Sequence, residues 1–288
     1  MAELRIGGLS YLNSAVFFHN LGSFPADIAW TFDHPTRLGE AARRGELDCA
    51  LLSLADYVSV SDHFSPLLDE RQDGFGIGTR GPALSVLLFS REPLGEWRGR
   101  RVRVATTTES ATSIGLLSLL ARQRYGAEAI DCIPSDAPLS EAYDAALVIG
   151  NAALAARRTR SPFVHLIDLA EAWWDWQRQP FVFALWAARR DLAAAVRQPL
   201  AAAIARNVIL GLAHADEVGR CYCERTGFAA LSGEELARYV RNFQYRLGPR
   251  EWHGLSLFLR ARDLAVPAAL ERLAAQHATT GRGPSQGS

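Results

Sequence analysis

The sequence predicts an α/β protein of two lobes joined by a double crossover, with a helical region at its C-terminal end. Three observations predict it. Short apolar runs of β-branched or alternating character recur between helical patterns as far as Asp191, which marks strands interleaved with helices on both faces of largely parallel sheets. Two of these runs, Ser85–Ser90 and Pro180–Asp191, are long and apolar, and the chain changes character after each. From Leu192 to Gln276 it is Ala- and Arg-rich and helical in pattern.

In chain order the candidate strands are Leu4–Gly8, Ile28–Phe32, Cys49–Ser53, Phe75–Thr79, Ser85–Phe89, Val102–Thr106, Ala145–Ile149, Val164–Ile167 and Phe181–Ala187. Helical stretches such as Pro35–Arg44 and Ser113–Gln123 lie between them. The two long runs read as paired crossovers. Lobe one then holds residues 1–88 and 187–277, and lobe two is the inserted segment 89–186. A double crossover makes a hinge, and the cleft between lobes is the default ligand site. Pro199 and the pair Thr226-Gly227 should break the C-terminal region into several helices. The final TTGRGPSQGS lacks apolar residues, and 278–288 should be a disordered tail.

Composition narrows the function. The chain has 288 residues, 49% hydrophobic and 22% charged, with 31 basic and 31 acidic side chains. A net charge of zero gives no basic footprint for nucleic acid and no patch for a membrane surface. The N-terminal residues lack the charged start and apolar core of a secretion signal, and no run of about 18 apolar residues occurs, so a cytoplasmic location is expected. Cys49, Cys132, Cys221 and Cys223 have no zinc or redox spacing and read as small hydrophobes. No phosphate-binding glycine loop, dinucleotide fingerprint, HExxH or GxSxG occurs, so no metal and no cofactor is expected.

Several polar clusters sit where strand ends should face a crevice. Ser10-Tyr11-Leu12-Asn13 follows the first strand, where Asn13 offers an amide donor and acceptor, or Ser10 or Asn13 merely caps the next helix. Ser53 ends the third strand as a helix cap, a cleft donor, or both. Ser85 follows a Gly-Pro turn at the lobe boundary. Thr107, Ser110, Ala111 and Thr112 lead into an apolar helix whose free N–H groups favour an anion, although such turns are common in α/β proteins. Asn151 ends a strand of lobe two and either reaches across the cleft or caps a helix. Trp173, Trp174, Trp176 and Trp186 form either a stacking platform or an aromatic hinge core.

Taken together, SYLNS at 10–14, GELDCALLSLADY at 45–57, GPALSVLLFS at 81–90, SATS at 110–113, ALVIGNAAL at 146–154 and DLAEAWWDWQRQPFVFALWAARRD at 168–191 resemble the menaquinone-biosynthesis family of the futalosine pathway, in its chorismate dehydratase branch. The resemblance implies a type II periplasmic-binding-protein-like two-lobed clamshell. It also implies a hydro-lyase that converts chorismate, a small dicarboxylate, into 3-(1-carboxyvinyloxy)benzoate. The sister branch, 1,4-dihydroxy-6-naphthoate synthase, typically carries Cys-Pro-Asn-Asp after its first strand, where this chain has Ser-Tyr-Leu-Asn. A cytoplasmic solute-binding protein without catalysis is the competing class. Family members commonly show Ile-Gly-Asp where this chain has Ile149-Gly150-Asn151, which removes a charge.

On this reading Asn13 and Ser85 are the expected catalytic residues. Ser10, Tyr11, Ser53, Thr107, Ser110, Ala111, Thr112 and Asn151 are the expected substrate contacts. With no histidine base placed in the cleft, the substrate's own enolpyruvyl carboxylate is expected to take the ring proton. Apolar residues on the C-terminal helices would permit a homodimer.

Overall fold

The computed structural model describes residues 3–24, 27–107 and 111–280. Its strands are β1 Leu4–Leu9, β2 Ile28–Asp33, β3 Cys49–Ser53, β4 Phe64–Pro66, β5 Gly74–Thr79, β6 Val86–Ser90, β7 Arg101–Thr106, β8 Ala129–Pro134, β9 Ala145–Ile149, β10 His165–Asp168, β11 Phe181–Arg189 and β12 Gln244–Leu247. Its helices are α1 Pro35–Arg43, α2 Leu54–Ser59, α3 Ala111–Leu119, α4 Gly150–Ala156, α5 Leu169–Gln177, α6 Ala194–Ala213, α7 Ala215–Thr226, α8 Gly233–Arg241, α9 Pro249–Ala261 and α10 Ala268–Thr280.

The strands form two sheets. Seven belong to the first, ordered β12-β5-β11-β3-β1-β2 with β4 also on β11, and five to the second, ordered β10-β6-β9-β7-β8. All five residues of β3 and all five of β9 are buried. A strand covered on both faces needs a continuous apolar run, and each fully buried Leu in β3 contributes roughly 2 kcal/mol. Parallel pairing is confined to β1 with β2 and β3, and β7 with β8 and β9. The returning strands β6 and β11 pair antiparallel to their neighbours, so each sheet is mixed.

The expected boundaries at 88/89 and 186/187 each fall inside a strand. All of β6 lies in the second sheet and all of β11 in the first, so their apolar runs are central strands, not crossovers. The chain passes between sheets at 80–85 and again at 169–180. Asp168 ties the two passages together. Its carboxylate accepts from the N–H groups of Ala83 at 3.1 Å and Leu84 at 2.6 Å, and caps α5 through Ala170 at 3.0 Å and Glu171 at 3.2 Å. Leu84 is held there with a φ of 65°, a strained conformation for a branched side chain.

Pro199 does not break the C-terminal region, because α6 runs through it from Ala194 to Ala213. Leu200, Ala201, Ala203, Ile204 and Val208 are buried on this helix, and that burial offsets the roughly 3 kcal/mol cost of an internal proline. Gly227, at φ 72°, does end α7, as Thr226-Gly227 predicts. The last helix extends to Thr280, so residues 278–280 are helical rather than tail; the rest of that expected tail lies outside the described residues. Trp173 packs on Trp176, Phe181 and Phe258, and Trp186 on Phe17 and Phe18. Trp173 and Trp176 thus belong to one aromatic cluster and Trp186 to another, and no tryptophan lines the cleft among the described residues. Cys221 is exposed, unlike buried Cys49.

Candidate active site

Between the sheets lies a cleft of about 500 Å³ of non-protein space, its mouth included. Strand ends build it, as expected for open α/β sheets. Leu9 at the end of β1 and Ser53 at the end of β3 face Ile149 at the end of β9, while Val86, Phe183 and Phe243 close the apolar walls. Tyr11, Asn13, Ser53, Ser85 and Ser113 supply the polar lining, and no charged side chain lines the cleft among the described residues.

Asn13 stands in the 3-10 segment Leu12–Phe18. Its Oδ1 is shielded from solvent and has no hydrogen-bond partner among the described residues. A buried amide oxygen left unmet costs about 1–3 kcal/mol, which a ligand hydroxyl would recover. The N–H and oxygen ends of the amide are interchangeable by rotation, so the group serves as donor or acceptor.

Ser85 is buried, and its Oγ accepts from the Tyr239 hydroxyl at 2.7 Å. Its remaining hydrogen bond among the described residues is long, 3.4 Å to the Ala83 carbonyl, so its own proton can turn to the cleft. Burial pushes the Tyr239 hydroxyl far above its ordinary range, which keeps it a donor.

The other expected residues divide. Tyr11 presents its ring to the cleft and packs edge-on to His34 at 5.7 Å. Gly150 is required beside it: its φ is 60°, and a Cβ there would meet the Tyr11 ring at 2.8 Å. Ser53 lines the cleft, yet its hydroxyl accepts from the Asp56 N–H at 3.2 Å and donates to the Asp56 carboxylate at 2.6 Å. Its proton is therefore spent on capping α2.

Thr107, Ala111, Thr112, Asn151 and Ser10 do not line the cleft. Thr112 is buried and accepts from the Ala55 N–H at 3.1 Å, joining α3 of the second lobe to α2 of the first. Thr107 donates its N–H to the Leu147 carbonyl at 3.4 Å, and Ala111 is exposed at the start of α3. Ser110 lies outside the described residues.

Asn151 reaches across the cleft edge. It accepts from the Leu12 N–H at 3.3 Å and donates to the Tyr222 hydroxyl at 2.5 Å, and Tyr222 donates in turn to the Ser10 carbonyl at 2.7 Å. The pair thus grips both ends of the Ser10–Leu12 turn that carries Tyr11 and precedes Asn13.

Sequence reasoning missed Ser113, Tyr239 and Tyr222. Ser113 belongs to the quoted SATS run and could have been found there. Tyr239 and Tyr222 sit in helices with no motif, 154 residues from Ser85 and 212 from Ser10, and no local spacing announces such pairs.

Comparison with known proteins fits this architecture. Protein AF1704 of Archaeoglobus fulgidus superposes with a TM-score of 0.71 at 18% identity, covering 91% of this chain and 98% of that one. The periplasmic aliphatic sulphonate binding protein of Escherichia coli superposes with a TM-score of 0.63 at 16% identity, covering 95% and 97%. Those likenesses give the fold as that of periplasmic binding proteins. In sequence, the chain is 31% identical over 250 residues to a chorismate dehydratase of Thermus thermophilus, covering 80% of this chain and 85% of that relative. The family model for menaquinone biosynthesis matches residues 4–263, and the chain belongs to that family.

Proposed function

We propose that this protein is a chorismate dehydratase, a cytoplasmic hydro-lyase that forms 3-(1-carboxyvinyloxy)benzoate. The observation that carries the reading is the 31% identity to the Thermus enzyme over most of both chains. The chemistry of the cleft is compatible with it. Chorismate bears a hydroxyl on the ring carbon next to the ether-bearing carbon. Loss of the proton from the ether-bearing carbon and of that hydroxyl makes the ring aromatic. The driving force lies in the substrate, so the protein has to orient and exclude water rather than supply a strong acid or base.

The enolpyruvyl carboxylate of the substrate takes the ring proton. The C–H electron pair completes the aromatic ring as the neighbouring C–O bond breaks. The departing hydroxide receives that proton and leaves as water. Asn13, whose Oδ1 has no partner among the described residues, turns its amide N–H to the departing hydroxyl and stabilises the charge that develops on it. Ser85, held by Tyr239, donates to a substrate carboxylate, and Ser113 adds a polar side chain to the lining. Asn151 and Tyr222 fix the turn that carries Tyr11, and Thr112 joins α3 to α2, so that the closed state excludes solvent.

The test is incubation of purified protein with chorismate, without added metal or nucleotide, followed by chromatography and mass spectrometry. A product one water lighter that retains the enolpyruvyl ether supports the reading. Unchanged chorismate with a folded protein contradicts it.

A further inference from the structure

A second opening lies at the lobe boundary, outside the catalytic cleft. It encloses about 880 Å³, mouth included, between the C-terminal end of α4 and the start of α8. Its floor is apolar, made by Leu84, Leu154 and Leu231. Its rim carries three guanidinium groups, Arg157, Arg158 and Arg238, against one carboxylate, Glu235.

The three arginines are not equivalent. Arg158 pairs with Glu235 across the lobes, and Arg238 with Glu234 at 2.6 Å along its own helix. Glu235 also closes the capping box with Ser232, so the α8 end of the rim is held in place. Arg157 makes no ion pair and no side-chain hydrogen bond among the described residues. With Glu234 counted, three guanidinium groups stand against two carboxylates, an excess of one positive charge in a molecule whose formal net charge is zero.

We propose that this groove binds a small ring compound bearing one or two carboxylates, gripped by Arg157 and Arg238 from opposite lobes. The ring lies on the leucine floor, where it loses apolar surface to water. Planar guanidinium forks match carboxylate oxygens two by two. Arg157 stands just past α4 in the second lobe and Arg238 on α8 in the first, so an occupant bridges the lobes and favours their closed arrangement. Tyr239 forms part of the groove wall while its hydroxyl holds Ser85 in the cleft. The two sites thus share one side chain, and occupancy of the groove bears on the geometry of the cleft.

Isophthalate, an achiral ring with two carboxylates, is the probe. Titration calorimetry on the full chain should show saturable binding that weakens as salt rises from 0.05 to 0.3 M. The Arg157→Gln/Arg238→Gln variant should bind at least tenfold more weakly, with an unchanged circular dichroism spectrum because both side chains are exposed. Arg157→Gln alone should lose at least threefold. Asn13→Ala, altered only in the cleft, should keep groove binding. No saturable binding overturns the proposal. So does binding that survives the double substitution, or that disappears in Asn13→Ala while surviving in the arginine variant. None of these readings depends on turnover, so a protein inactive on chorismate can still confirm the groove, and an active one can refute it.

Discussion

The Asn151 amide donates to the Tyr222 hydroxyl at 2.5 Å, and this leaves Tyr222 free to give its single proton to the Ser10 carbonyl at 2.7 Å. An aspartate at 151 could only accept. It would compete with Ser10 for the Tyr222 proton, and one acceptor would go unmet. The departure from Ile-Gly-Asp therefore has a local partner in Tyr222.

That coupling is measurable. Asn151→Ala and Tyr222→Phe should each lower kcat/KM on chorismate by about tenfold, and the double variant should lose little more than either. A coupling of about 1 kcal/mol in the double-mutant cycle is expected. Strictly additive losses would separate the two residues.

Gly150→Ala tests how Tyr11 is placed. The new methyl would sit 2.8 Å from the Tyr11 ring on backbone at φ 60°, costing about 1–2 kcal/mol of conformational strain besides the clash. The variant should melt lower and turn over chorismate more slowly. Wild-type kinetics would remove Tyr11 from the site.

Tyr239→Phe removes the donor to Ser85 while nearly preserving core volume. Stability should fall by about 1 kcal/mol, the worth of one hydrogen bond. KM should rise several-fold more than kcat falls, because Ser85 is assigned to carboxylate binding. Equal loss in both would point to a disturbed core instead.

Stability should depend on Asp48 in a defined pH window. Burial works to raise its carboxyl, but the hydrogen bonds and charge of Arg5, together with Arg189, outweigh it and hold the carboxyl below its ordinary range. Arg5 contacts it at 2.8 and 3.1 Å. A depressed native pKa contributes stability that is present above the unfolded value, roughly 3.9, and is lost as pH falls through the native one. With Arg5 half exposed, screening limits the effect. Asp48→Asn should cost about 1 kcal/mol in urea unfolding at pH 7 and progressively less below pH 4.

Much of this architecture is legible in the sequence because strands buried on both faces must be continuous apolar runs. Cys49–Ser53 and Ala145–Ile149 are of that kind. The strands that escape notice lack that signal. β8 is half-buried with an exposed end, β12 is the four-residue stretch QYRL, and β4 has three residues. In the cleft, Asn13, Tyr11, Ser53 and Ser85 are visible because strand ends and turn residues announce them. Asn151 and Thr112 are visible as polar residues but not as lobe contacts, since their partners Tyr222, Leu12 and Ala55 lie far away along the chain. Tyr239 carries no sequence signal at all.

Chorismate is proposed to lose water in this cleft, with Asn13 acting on the departing hydroxyl. Turnover of chorismate by wild type and Asn13→Ala, with product mass and separate kcat and KM values, tests it most directly. Wild type should form the product one water lighter. Asn13→Ala should lose about 100-fold in kcat, the scale of one lost transition-state donor, with KM changed only a few-fold. Absence of that product from folded wild type, or an Asn13→Ala enzyme as fast as wild type, would contradict it.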